Sequence, residues 1–223
     1  MKVITIYIFK YLLSFIVPLK EKIYYSKING LIIIQKNIGS EEMIVDGYIQ
    51  SGKYAEKLIK YLLSKINFDD HMVKRILVLG IGGGSMLKVL RKSFPLAKII
   101  GVEIDKEMIK AGRKYFGLGQ INNCTYYIQD ATEFIKKRTV KKFDLIIMDL
   151  FIGCDVPISI EKLSSIKNIN KLLQSHGIFF INRSYLDKYK KGTITFVQKL
   201  KKVFPNVKTY FSKPNLLVIT EKQ

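Results

Sequence analysis

The sequence predicts an α/β chain: a doubly wound, mostly parallel sheet of seven strands with a small antiparallel β unit ahead of it. Three observations carry this. Arg75 to Ser85 reads Arg-Ile-Leu-Val-Leu-Gly-Ile-Gly-Gly-Gly-Ser, an unbroken apolar run followed by a turn almost free of side chains. Such a run suits a parallel strand buried on both faces. From Arg75 onward, apolar runs alternate with segments of helical spacing, the pattern of βαβ units. Before that region, Asn29-Gly30 leads into Leu31-Ile-Ile-Ile34, a hairpin signal, and Gly39-Ser40 precedes Met43-Ile-Val45.

The elements follow in order. Residues Val3 to Val17 are mostly apolar, broken by Lys10. They fall short of the roughly twenty residues that span a bilayer, and no small-residue cleavage site follows them. They read as a helix or strand packing on the main domain; a membrane-surface anchor is the alternative, because aromatics and lysine suit an interface. Lys22 to Asp46 reads as two or three antiparallel strands, closed by Asp46 to Gly52. Tyr54 to Ile66 is an amphipathic helix with Leu58, Ile59, Leu62, Leu63 and Ile66 on one face. The alternation then runs through strands at Ile76–Leu79, Lys98–Asp105, Cys124–Ile128, Phe143–Met148 and Ile178–Asn182. Helices start at Met86, run over Lys106–Phe116 with Gly117 as the stop, and cover Thr132–Arg138, Glu161–Leu173 and Thr193–Phe204. Val207–Phe211 and Leu216–Thr220 form a closing antiparallel pair. The division falls at residue 50: residues 1–50 hold the apolar segment and the small β unit, and 51–223 the α/β domain.

Composition sets bounds. The 223 residues suffice for one domain with a sizeable core. Thirty-eight basic against eighteen acidic residues give a net charge of +20. A nucleic-acid or anionic-membrane partner would account for that, but the lysines are scattered through a chain rich in Lys, Ile, Asn and Tyr, which weighs against such a partner. Cys124 and Cys154 have no metal-type spacing and no histidine close by, so neither a disulfide framework nor a metal site is expected and a reducing cytoplasm fits. His71 and His176, both read as loop residues, pair with no Ser or Cys nucleophile, which argues against a hydrolase triad.

The glycine turn Gly80, Gly82, Gly83, Gly84 leads into a helix start, so backbone N–H groups and a positive helix end gather at the strand's carboxyl edge. Roughly twenty residues on, the second strand ends in Glu103 and Asp105, and an acid there accepts hydrogen bonds from both hydroxyls of a ribose. Turn and acid together point to a nucleoside-containing ligand. The dinucleotide pattern GxGxxG is not met, since its third glycine position is Ser85.

With those residues in place, the sequence resembles the class I S-adenosylmethionine-dependent transferases, and within them the spermidine synthase (polyamine aminopropyltransferase) family. Val45-Asp46-Gly47-Tyr48-Ile49-Gln50 matches the family's Leu-Asp-Gly-X-X-Gln turn, Gly80 to Ser85 its glycine turn, Val102 to Asp105 its Val-Glu-Ile-Asp strand end, and Asp130-Ala131 its Asp-Gly or Asp-Ala tip. The family's catalytic aspartate falls on Asp149. The resemblance implies a methyltransferase-like Rossmann fold, with residues 51–223 as its S-adenosylmethionine-binding domain. It implies decarboxylated S-adenosylmethionine or S-adenosylmethionine as co-substrate and no metal. Gly80, Gly82, Gly83 and Gly84 would line that ligand and Ile104 and Ala131 would belong to its site, Glu103 would hold its ribose hydroxyls, Asp130 would accept from its adenine amino group, and Gln50 would reach its tail or ribose. Asp149 would face the incoming amine, Tyr54 would line the acceptor pocket, and Asp155 would hold the far end of a polyamine or merely cap the next turn. A homodimer is implied as well.

Three departures shape the alternatives. The family's Asp among the glycines is Gly83 here, its Tyr-His-Glu is Tyr54-Ala55-Glu56, and its Asp-Ser-X-Asp-Pro is the longer stretch Asp149 to Pro157. A turn without a carboxylate suits a donor that keeps its own carboxylate. Aminopropyl transfer to a polyamine-type amine is therefore accompanied by two other readings: methyl transfer to a small molecule or nucleic acid, and non-catalytic nucleoside binding.

Overall fold

The computed structural model describes residues 9–66, 73–137, 141–153 and 155–223. Val3 to Ile8, His71, Arg138 and Cys154 lie outside them. Two sheets are present. Four antiparallel strands, β1 (Leu19–Ser26), β2 (Gly30–Asn37), β3 (Ser40–Val45) and β4 (Tyr48–Ser51), form a meander in chain order. The fourth strand goes beyond the two or three expected. Asp46 and Gly47, with φ of 49° and 80°, make a two-residue loop that pairs Val45 with Tyr48. Asp-Gly is a preferred pair for that loop.

Helix α1 (Lys53–Leu63) joins this sheet to the larger one and buries Leu58, Ile59 and Leu62. The seven-stranded sheet comprises β5 (Arg75–Leu79), β6 (Lys98–Glu103), β7 (Cys124–Ile128), β8 (Phe143–Met148), β9 (Leu173–Ser184), β10 (Val207–Ser212) and β11 (Asn215–Glu221). Their spatial order is β10-β11-β9-β8-β5-β6-β7. Every neighbouring pair from β9 to β7 is parallel, while β11 lies antiparallel between β9 and β10. The chain winds outward from β5 to β7, then returns to β8 on the other side. The switch point falls between β5 and β8.

Side chains alternate across the strands and divide the core in two. Leu77, Leu79, Ile146 and Met148 pack with α4 (Ala131–Lys136), α5 (Leu163–Leu172) and α6 (Asp187–Lys201). Ile76, Val78, Leu145 and Ile147 pack with α1 and α2 (Ser85–Ser93). Ile76 to Leu79 are all fully buried, as an apolar run enclosed on both faces must be. Helix α6 starts six residues before the expected Thr193. Its first turns, Asp187-Lys-Tyr-Lys-Lys-Gly192, are solvated and carry no apolar repeat to read. Strand β9 begins directly after α5, and the expected turn at His176-Gly177 is an irregularity within it, with His176 at φ 58°.

The small sheet packs through Ile32, Ile34, Met43 and Val45 on helix α3 (Lys106–Tyr115), against Met108 and Ala111. Residues 9–13 are helical and lead to Ser14, which holds the β2–β3 turn. The Ser14 hydroxyl accepts from the Gly39 N–H at 3.1 Å, and its carbonyl accepts from Ile38 N–H at 2.8 Å. Phe9, Leu12, Phe15 and Ile16 are exposed. Among the described residues, no helix is long and apolar enough to cross a membrane.

A buried polar tie fastens the two sheets. Asp105 caps α3 by accepting from the Glu107 N–H at 2.8 Å. Its other oxygen accepts from the Asn29 amide at 2.8 Å and from the Ser26 hydroxyl, both at the β1–β2 turn. Asp105→Ala removes a helix cap, worth about 1 kcal/mol. It also strands a buried amide, at a cost of about 1–3 kcal/mol. A loss of roughly 2–4 kcal/mol is expected, which lowers Tm by about 5–15 °C for a chain of this length; a Tm within 2 °C of the unchanged protein, on the order of 1 kcal/mol or less, would show that the tie carries nothing.

Candidate active site

The carboxyl ends of β5 and β8 approach so closely that their junction dictates a residue. Gly80 has φ 84°, and a Cβ built on it would lie 2.2 Å from the Asp149 carbonyl oxygen. Only glycine fits. The ladder continues past both strands, with Gly80 N–H donating to the Val102 carbonyl and Asp149 N–H to that of Leu79.

From Gly80 the turn runs along a crevice at the carboxyl ends of the strands. It is lined by Gln50, Gly80, Gly82, Glu103, Ile104, Asp130, Ala131 and Asp149, eight of the residues singled out from the sequence. Gly83 and Gly84, expected beside a ligand, stand one layer back. A Cβ on Gly83 would meet Met43, Ser51 and Phe116 within about 3 Å, and one on Gly84 would meet Leu118 at 2.6 Å. The position where the resemblance puts an Asp therefore faces protein and has no room for a side chain.

Two serines to which the sequence assigns no role of their own set the turn. Ser51 Oγ accepts from the Gly83 N–H at 2.7 Å, and Ser85 Oγ accepts from the Gly52 N–H at 2.9 Å. Both serines are buried. This reciprocal pair clamps the end of β4 onto the glycine turn and so carries Gln50 to the crevice. The Gln50 amide donates to the Gly153 carbonyl at 3.0 Å, while the Gly153 N–H donates to Asn29 Oδ1 at 3.3 Å. The loop after β8 is thus held from both sides.

Glu103 lies at the crevice floor. One oxygen accepts from the Gly82 N–H at 2.9 Å and the other from the Asp105 N–H at 3.0 Å. Burial pushes its pKa up to about 7, with those two backbone bonds acting in the opposite sense. Asp130 caps α4 by accepting from Glu133 N–H at 3.0 Å. It keeps its place in the crevice wall beside Ala131.

Asp149 stands where this crevice meets a second cavity, with Gln50, Ala55, Asp149 and Phe151 common to both. Burial raises the Asp149 pKa to about 6, and the hydrogen bond from Asn182 lowers it. That bond, Asn182 Nδ2 to Asp149 Oδ1 at 2.9 Å, comes from the carboxyl end of β9. Tyr54 lines the second cavity, and its phenol is held above the usual range by burial and by the Asp149 charge. Asp155 is exposed and lines a separate groove with Glu161 and Arg183, so it is not gathered with the others.

A seven-stranded doubly wound sheet, with a glycine turn and an acid at the carboxyl ends of its central strands, defines an α/β protein of the methyltransferase-like class. Within that class, the chain belongs to the spermine/spermidine synthase family, whose domain model matches residues 51–215. It is 28% identical over 200 residues to polyamine aminopropyltransferase 2 of Caldanaerobacter subterraneus subsp. tengcongensis, covering 87% of this chain and 66% of that one. The chain spans about two thirds of the length of such relatives. Among solved structures, spermidine synthase from Thermotoga maritima superposes with a TM-score of 0.74 at 21% identity, over 92% of this chain and 73% of its own. Human methyltransferase-like protein 13, in complex with SAH, gives 0.64 at 23%, over 78% and 83%. Both likenesses are of fold.

The Asn182 contact generates its own expectation. In Asn182→Ala the Asp149 carboxylate loses its donor, so its pKa rises above about 6. Carboxyl-carbon NMR across pH 4–8 reads the shift directly, and an unmoved titration would mean that the amide does not tune the acid.

Proposed function

We propose that the chain is an aminopropyltransferase that uses decarboxylated S-adenosylmethionine and a polyamine-type amine. The observation that carries this is Asp149, a half-buried carboxylate with one oxygen held by Asn182, at the junction of the crevice beside the glycine turn and a second cavity. The donor set of the crevice suits an adenosyl sulfonium. Glu103 and Asp130 offer acceptors to hydroxyl and amino donors, and the glycine turn admits a close backbone approach.

When bound, the donor supplies an aminopropyl carbon activated by its sulfonium, which joins the acceptor nitrogen as the carbon–sulfur bond breaks. The chain's own residues do the rest. Glu103 accepts from the ribose hydroxyls, and Ile104 packs beside the nucleoside. Asp130 accepts from the adenine amino group. Gln50, held through Gly153, closes the donor side. Asp149 orients the acceptor amine and takes its proton. An alkylamine with a pKa near 10.4 is mostly protonated at neutral pH, so a nearby carboxylate is needed to free its lone pair. Alignment of the two reactants across Asp149 is the larger part of the task.

Methyl transfer from S-adenosylmethionine is a second reading, favoured by Gly83. No carboxylate can project from that position toward the ammonium of a decarboxylated donor. The products separate the two: methylthioadenosine for aminopropyl transfer, S-adenosylhomocysteine for methyl transfer. Incubation with an amine and each donor in turn decides between them.

Two pH dependences follow. The Asp149 carboxylate is the active form, so kcat should fall about tenfold per pH unit below a folded pKa of about 6. Asp149→Asn should reduce kcat by about 10²–10⁴-fold while leaving methylthioadenosine binding within about threefold, on the order of 0.7 kcal/mol. Ribose hydroxyls bind the ionised form of Glu103, so methylthioadenosine affinity should rise from pH 5 and level off above about 7. Calorimetry in Glu103→Gln should show no such rise; a persisting one would remove Glu103 from the ribose.

A further inference from the structure

Lysines scattered over the whole chain name no partner, but the first twenty residues differ from the rest. They carry Lys2, Lys10 and Lys20 and no acid. Phe9, Leu12 and Ile16, spaced as on one face of a helix, are 64%, 59% and 79% exposed. Helical hydrogen bonds run through this stretch, from Ser14 N–H to the Lys10 carbonyl at 3.0 Å and from Val17 N–H to that of Leu13 at 3.1 Å. The segment is fixed where it lies. Ser14 is buried, and its hydroxyl donates to the Tyr11 carbonyl at 2.6 Å. A Cβ on Gly39, which has φ 70°, would meet the rings of Phe15 and Tyr11 at 2.9 Å, so the β2–β3 turn needs glycine to seat them. The serine is thus turned inward and Phe9, Leu12 and Ile16 outward, the reverse of a helix that packs on a core. Ile38, in the same turn, adds to the exposed apolar surface.

Large apolar side chains held out in this way mark an interaction surface, and the charge beside them selects the partner. Lys10 and Lys20 border a shallow groove with Phe9 and Pro18, in which Glu21 is the one acid among the described residues. A second copy would bring the same lysines to face these, and the core of a protein–protein interface is depleted of lysine. An anionic bilayer accepts both features. Phe9, Leu12 and Ile16 would enter the boundary between headgroups and acyl chains, while the lysine stems lie along it and their ammonium groups meet lipid phosphates and carboxylates. We propose that residues 9–17, with Lys10 and Lys20, seat the protein on one leaflet of a negatively charged membrane.

The test sediments the full chain with vesicles of phosphatidylcholine, alone or with about a third phosphatidylserine. Affinity for the anionic vesicles should be higher by about tenfold or more; a smaller ratio, or no binding, overturns the proposal. Phe9→Ser, Leu12→Ser and Ile16→Ser together alter exposed side chains only and keep every lysine. They should weaken binding by about tenfold or more, and a smaller loss would show attraction by scattered charge alone and overturn the proposal. Lys10→Gln with Lys20→Gln should weaken it by about threefold or more; a smaller loss also overturns it. The chain has no tryptophan, so Ile16→Trp supplies a single emission. Its maximum should move to the blue when anionic vesicles are added. Emission that stays in place while the variant sediments with the vesicles would put the contact elsewhere. A dimer that becomes a monomer in the triple serine variant, with no vesicle binding by either, would assign the face to a second copy instead.

Discussion

The rest of the molecule depends on the contact between Gly80 and the main chain of Asp149. Two parallel strands end side by side at a distance that leaves no space for a Cβ. The glycine turn begins there and directs the Gly82 N–H at Glu103, while the other strand end places Asp149 within the same crevice. A bulkier residue at position 80 would force the strand ends apart and separate the groups that a donor and an acceptor must meet together. The long apolar strands on either side supply the rigidity that such a junction needs.

Electrostatically the site runs against the character of the chain. The protein carries a net charge of +20, yet among the described residues the crevice lining includes Glu103, Asp130 and Asp149 and no lysine or arginine. Two of these carboxyls are pushed up in pKa by burial, to about 7 and about 6. A cationic ligand would restore both toward ordinary ionised carboxylates, since an opposite charge favours the charged form. The surface charge and the site charge thus have opposite signs, and the crevice is the place where a small cation finds a favourable field.

Much of this was legible in the sequence because the signals are local. An apolar run that ends in glycines marks a central strand, and an acid at a strand tip marks the rim of the sheet. Gly80, Gly82, Glu103, Ile104, Asp130, Ala131, Asp149 and Gln50 come together in one crevice. What escaped depends on proximity between distant segments. Asn182 is an ordinary strand residue until β9 is laid beside β8, and Ser51 is an ordinary turn residue until it meets Gly83. The direction in which Gly83 and Gly84 face is likewise set by packing against Met43, Phe116 and Leu118, not by spacing. Asp155 looked close to Asp149 along the chain, but the intervening loop carries it to another groove. The early start of α6 went unread because its solvated first turns lack the apolar period on which such reading rests.

Asn29 has a reach that its position in a hairpin turn conceals. Its amide nitrogen holds the cap of α3 and its amide oxygen holds Gly153, whose carbonyl in turn receives Gln50. A protein engineer who trimmed the chain to the seven-stranded sheet would keep every strand that presents Glu103 and Asp149. The wall opposite them would go, and with it the clasp on the loop between. The small sheet of residues 19–51 is better regarded as the mould in which that loop sets than as a preface to the larger one.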